Sequence, residues 1–272
     1  MVEDAGRGGD PADIEAALDN MEASLAGVNF TNIALETLDE NIFERALTAI
    51  EKDFAAQPLV KSRLLQTVAD TLEELGLLDR ATKPQEEALR IRRETLGDDH
   101  PDTLESINNM GGLLQEQGKL SEAEPYYREA LRIRRETLGD DHSDTLISIN
   151  NMGALLFRQG KMSEAEPYYR EALEGFEKQF GSDDWRVGNA RLGLGRVWTG
   201  LNRFAEAEPA LLEAERALGT GQGAPLGQHK ESLEAIVTLY ESWHAAEPGK
   251  GYDAQAAEWR GKLAGMEQSQ SR

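Results

Sequence analysis

The sequence predicts an all-α solenoid of stacked helical hairpins, and three observations predict it. The stretch Glu105 to Thr145, ESINNMGGLLQEQGKLSEAEPYYREALRIRRETLGDDHSDT, is followed at once by a near copy, ISINNMGALLFRQGKMSEAEPYYREALEGFEKQFGSDD, from Ile147. The pitch is constant: Gly118 and Gly160, Ala123 and Ala165, Tyr127 and Tyr169, and Ala130 and Ala172 are each 42 residues apart. A period between about 20 and 50 residues marks stacked units, none of which can bury its apolar face alone. Within the unit the apolar spacing is helical twice over. Ile107, Met110, Leu113 and Leu114 share one face of a helix ending at Gly118, and Ala123, Tyr127, Ala130, Leu131 and Ile133 share one face of a second.

The joints follow from local chemistry. Gly118 supplies a left-handed residue that ends the first helix, and Ser121 with Glu124 predicts a capping box starting the second. Pro125 is expected in the first turn, where a missing N–H costs little. Gly111, Ala123 and Ala130 are small where two helices approach, and Tyr127 fills the space beside them. This small, large, small order is the tetratricopeptide signature.

The runs INNMG, QGK(L/M)SEAEPYYREAL and LRIRRETLGDDH(P/S)DT resemble the 42-residue tetratricopeptide repeat (TPR) of kinesin light chains and many bacterial proteins. The likeness spans about residues 60 to 265 and implies a right-handed superhelix. The earlier stretch VNFTNIALETLDENIFERALTAIEKDFAAQPLVKSRLLQTVADTL is similar to the segment preceding such repeats in the C-terminal regions of bacterial serine/threonine protein kinases.

Taken in order, residues 1–13 are Gly-rich, charged and aperiodic, which predicts disorder. Residues 14–58 predict N-terminal capping helices: a short amphipathic one over Ile14–Leu25, then Glu36–Phe54, whose Ala46 and Leu47 precede Ala88 and Leu89 by one 42-residue period. Repeats one, two and three occupy 59–103, 104–145 and 146–187. In repeat one, Asp70 stands where repeat two has Gly112, and Pro84 is shifted by one. Repeat four with its Gly-rich link, 188–230, replaces the turn glycine by Asn202, which also tolerates a left-handed backbone. Repeat five, 231–264, is degenerate and needs the insertion HAAEPGK to bring Ala256 into register; residues 265–272 predict a disordered tail.

Composition excludes several functions. A net charge of -21 opposes nucleic acid and anionic membrane surfaces. No cysteine is present, which removes disulfides, thiol catalysis and zinc–thiolate sites and fits a reducing cytoplasm. No apolar run reaches the roughly 20 residues of a membrane span, and Met1 to Asp10 lacks the apolar core of a signal peptide. No metal or other cofactor is expected: His100 and His142 each follow two aspartates, but they recur one repeat apart and predict loop caps. Arg90, Arg92, Arg93, Arg132, Arg134 and Arg135 predict a solvated, partly paired face near helix C-termini. Gly219, Gly221 and Gly223 predict a linker, since no strand precedes them and no Lys-Ser/Thr follows. His229 and His244 are isolated, hydrolase and kinase motifs are missing, and the expectation is a non-enzymatic chain.

The resemblance places ligands against the first helices, which line the concave face. By register these present Arg63, Gln66, Asp70 and Glu73; Glu105, Asn108, Asn109, Gly112 and Gln115; Ile147, Asn150, Asn151, Ala154, Phe157 and Arg158; and Asn189, Leu192, Arg196 and Thr199. The paired asparagines match the kinesin-light-chain pattern, in which an amide can both donate to and accept from an extended peptide backbone; the alternative use is a bond to a neighbouring helix. Chaperone-binding relatives grip a C-terminal carboxylate with lysines and arginines, but Gln66, Asp70 and Ile147 stand in those places, so no chaperone-tail clamp is expected. Charge runs from Asp70, Glu73 and Glu105 towards Phe157, Arg158 and Arg196, which suits an amphiphilic ligand with a basic end. The leading expectation is a peptide- or protein-binding module. The alternatives are a regulatory segment of a kinase signalling system and a scaffold that self-associates through its end repeats.

Overall fold

The computed structural model describes residues 39–220, 224 and 227–270. The expected disorder over 1–13, the leading helix over Ile14–Leu25, and Gly221 and Gly223 of the link lie outside the described residues. The chain divides into two compact units, Met1–Gln57 and Pro58–Arg272. In the first, a π-helical turn at Asp39–Phe43 leads into α1, Glu44–Asp53, where the sequence predicts a helix.

Among the described residues the second unit is a run of five helical hairpins: α2 Pro58–Glu74 with α3 Leu78–Leu96, α4 Pro101–Glu116 with α5 Leu120–Leu138, α6 Ser143–Arg158 with α7 Met162–Phe180, α8 Trp185–Gly200 with α9 Phe204–Thr220, and α10 Gln228–Ala246 with α11 Tyr252–Gln270. No strand occurs among the described residues. Each helix packs on the next in sequence, and α8 also touches α6 and α10. None of the described helices is long and apolar enough to cross a membrane.

Hairpin turns close on a left-handed residue: Gly118 has φ +75° and Asn202 φ +59°. Beside Gly118, the amide of Lys119 donates to Leu114 O at 2.9 Å, collecting a carbonyl that the helix end leaves unpaired. The turn is so tight that the residue before α5 is Lys119, which has no oxygen to cap with. The expected capping box is therefore not formed. Ser121 already lies inside the helix, and Glu124 Oε1 accepts from Arg128 at 2.8 Å instead. Pro125 is also later than expected. It is the sixth residue of α5, so the carbonyl of Ser121 loses its intrahelical donor. That loss recurs at Pro167 and Pro209 and falls on exposed residues, where solvent access lowers its cost.

The first helices α4, α6 and α8 start on a side-chain cap. His100 Nδ1 accepts the amide of Asp102 at 3.1 Å, His142 Nδ1 that of Asp144 at 3.2 Å, and Asp184 Oδ1 that of Arg186 at 2.8 Å. The DDH loops are thus helix starts.

Within a hairpin the helices meet closely at Gly111, whose added Cβ would sit 3.0 Å from the Tyr127 ring, and successive hairpins are joined by a polar seam. Arg92 and Arg134 correct the expectation of a solvated face: they are only 5% and 8% exposed. Arg92 Nη1 donates to Ser106 Oγ at 2.6 Å and Asp102 O at 3.0 Å, and Arg134 Nη1 to Ser148 Oγ at 2.7 Å and Asp144 O at 3.1 Å. Arg90, Arg93, Arg132 and Arg135 do form the expected paired face, with Arg93 reaching Glu129 at 2.6 Å and Arg135 reaching Glu171 at 2.5 Å on the next second helix. In the last hairpin Ala256 is 1% exposed, and Trp243 stacks on Tyr252 with centroids 4.2 Å apart. α11 continues to Gln270, so the stretch expected as a disordered tail is helical that far.

Candidate functional site

The wall formed by α2, α4, α6, α8 and α10 is where the predicted positions fall, but they do not share one fate. Arg63, Asp70, Glu105 and Arg158 are exposed; Asn108, Asn109, Asn151, Phe157, Asn189 and Arg196 are half-buried. Gln66 and Asn150 depart from the expectation, each at 7% exposure. Gln66 is withdrawn because its Nε2 donates to Asp70 Oδ1 and to Gln85 Oε1, both at 2.7 Å. Gln85, fully buried, passes the link on to the carbonyl of Ser106 at 3.3 Å. Leu192 and Thr199 are likewise buried, Thr199 Oγ1 donating back to Gly195 O at 2.8 Å.

The asparagines are brought together across helices. Asn151 Nδ2 on α6 donates to Asn108 Oδ1 on α4 at 2.9 Å. Each amide has two donors and an acceptor with two lone pairs, so the bond leaves both with capacity for a further partner. Towards α2, burial, with Glu116 and Asp70 close by, raises the carboxyl of Glu73 to about 7. Burial likewise pushes the Tyr127 and Tyr169 hydroxyls up. At the other end Arg196 is not a free cation: its Nη1 donates to Glu231 Oε2 at 3.0 Å.

A cavity of about 350 Å³ opens where α6, α8 and α10 meet, lined by Phe157, Met162, Arg196, Thr199, Gly200, Glu234, Ala235, Thr238 and Ser242. Gly200 makes room for it, since a Cβ there would collide with Met162 Sδ. Only Phe157, Arg196 and Thr199 of this lining were among the residues the sequence singled out. The missed residues carried a signal: Glu234, Ala235, Thr238 and Ser242 lie one 42-residue period beyond Leu192, Gly193, Arg196 and Gly200. Register holds through Ser242, because the insertion in repeat five begins only at His244.

A hairpin solenoid with uncommitted polar groups and a cavity on one wall is a repeat protein built around a surface. The chain belongs to the tetratricopeptide repeat family, whose model matches residues 61–136, 106–178 and 144–219. Among solved structures, BtubC (BKLC) from P. vanneervenii is 19% identical at a TM-score of 0.63, covering 82% of this chain and 89% of that one. A putative kinesin light chain of Podosopora anserina with nearly identical TPR-like repeats is 20% identical at 0.58, covering 78% and 98%. A Rap protein complexed with Competence and Sporulation Factor is 15% identical at 0.54, covering 92% and 80%. At such identities the likeness is one of fold. A sequence search of curated proteins returned no match.

Proposed function

We propose that this chain is a non-enzymatic interaction module that takes an extended segment of a partner protein along the wall of first helices. The observation that carries this reading is the amide pair Asn108–Asn151, which joins two adjacent first helices on that wall and retains donors and an acceptor. An extended backbone presents the complementary groups at regular spacing. The Rap protein, whose structure holds Competence and Sporulation Factor, is a precedent on the same fold for a bound partner.

A kinase-linked regulatory role rests on the likeness of the N-terminal stretch alone. Self-association through the last repeat has weaker support, since exposed positions on α11 include Asp253, Glu258, Arg260, Lys262 and Glu267 rather than an apolar strip. The test is quantitative affinity purification with wild type and with Asn108→Ala/Asn151→Ala. A partner that occupies the wall is enriched by the wild type and depleted about tenfold by the variant. Equal recovery by both refutes the reading.

A further inference from the structure

The cavity between α6, α8 and α10 gives the wall a ligand class, and this inference rests on the groove reading above. At about 350 Å³ it lies at the small end of pockets that accept ligand groups, so it suits one bulky side chain. Phe157, Met162 and Ala235 make it largely apolar, and Thr238 stands exposed at its mouth. Charge selects what flanks that side chain. Arg196 is neutralised by Glu231, while Glu234 has only a loose contact with Lys230, at 3.8 Å, because Lys230 lies 2.8 Å from Glu267. Farther along the wall Glu73, Glu116 and Asp70 converge, and the buried Oε1 of Glu73 has no hydrogen-bond partner among the described residues. Arg158 is an exposed cation between the two regions.

We propose that the cavity anchors a bulky apolar side chain of a linear segment whose basic residues lie towards Glu73 and Glu116. The span follows from helix packing. The Glu73 end lies between α2 and α4 and the cavity is centred on α8, about two and a half helix steps away. At roughly 8–10 Å per step this is about 20–25 Å, or about seven residues of extended chain. The ligand is therefore amphiphilic, with its basic and apolar ends about seven residues apart.

The probes are fluorescein-labelled twelve-residue peptides carrying a Lys-Lys pair and a Phe about seven positions apart, in both chain orders, with Gly and Ser elsewhere. Fluorescence polarisation against the full 272-residue chain reads affinity. One of the two orders binds at least about tenfold more tightly than its Phe→Ala, Lys→Glu and short-spacing counterparts, and more weakly as salt rises. Thr238→Trp, at an exposed position, fills the cavity and costs about tenfold with unchanged circular dichroism, whereas Thr238→Ser costs nothing. Equal or tighter binding of the Lys→Glu peptide, or indifference to Thr238→Trp, overturns the proposal. A partner protein lost on Asn108→Ala/Asn151→Ala but untouched by Thr238→Trp overturns the cavity assignment and leaves the groove reading standing. Loss on neither overturns both.

Discussion

Replacing Glu73 by Gln should stabilise the protein in proportion to pH. The carboxyl of Glu73 sits half-buried on α2, with Asp70 on its own helix, Glu116 on α4 and the ring of Tyr127 on α5 around it. Burial first, and then the two neighbouring carboxylates, raise it from 4.5 to about 7. The folded state therefore holds this proton more tightly than the unfolded chain does. The stability it contributes is complete below about pH 4.5 and is lost as pH climbs through about 7. At about 1.36 kcal/mol per decade of proton affinity the full displacement is worth about 3 kcal/mol. Partial solvent access screens this to about 1–2 kcal/mol. Glu73→Gln is neutral at every pH, so in urea unfolding followed by circular dichroism it should match the wild type near pH 4.5. By about pH 8 it should exceed the wild type by about 1–2 kcal/mol. Glu87 and Glu124, whose carboxyls are held low by Arg90 and Gln159 respectively, lose stability in the opposite direction as pH falls, but they are common to both proteins and cancel. A stability difference that stays flat from about pH 5 to 8 refutes the assignment of burial and like charge to Glu73.

Three further outcomes are expected. Arg134→Ala should cost about 2–3 kcal/mol in thermal unfolding because it strips the donors from Ser148 Oγ and Asp144 O inside the seam, while Arg132→Ala, on the exposed face, should cost under about 0.5 kcal/mol. Gly193→Ala should cost about 1–3 kcal/mol by the same assay, since the new methyl would fall within the ring of Tyr169. His142→Ala should cost about 0.5–1 kcal/mol through loss of the cap on Asp144 N, and His142→Asp should restore it.

How far the fold was legible depended on which residues repeat. Gly118, Ala123 and Tyr127 recur at constant pitch because the second and third hairpins are built alike, so periodicity alone placed their helices. Turn glycines and Asn202 were legible for the same reason: a left-handed backbone admits few residues. Periodicity says which side of a helix a residue occupies, not what reaches it from the next one. Arg92 and Arg134 looked solvated because their ends are charged, yet serine hydroxyls and carbonyls of the following helix hold them. Gln66 sat at a wall position, but Gln85, on a different helix, claims its amide. The capping box failed because the turn at Lys119 leaves no room for a separate cap residue. Of the wall, the asparagines and Phe157 could be named from register, and the contribution of α10 could have been. The neutralisation of Arg196 by Glu231 needed coordinates, since no rule of spacing fixes which carboxylate a long guanidinium will choose.

The buried arginines have a genetic corollary. Arg92 and Arg134 grip chemically identical partners one period apart, so the polar seams of the first two junctions between hairpins are copies of one another. Excising residues 104–145 would hand Arg92 the hydroxyl of Ser148 in place of Ser106, and Arg93 the carboxylate of Glu171 in place of Glu129. The arginine seam of the join would be familiar to the molecule, although Arg158 would take the place of Glu116 beside Glu73, and the reach from Glu73 to the Phe157 recess would shorten by one notch. Unequal crossing-over between such copies would turn the protein into an adjustable ruler, able to lengthen or contract without relearning how to fold.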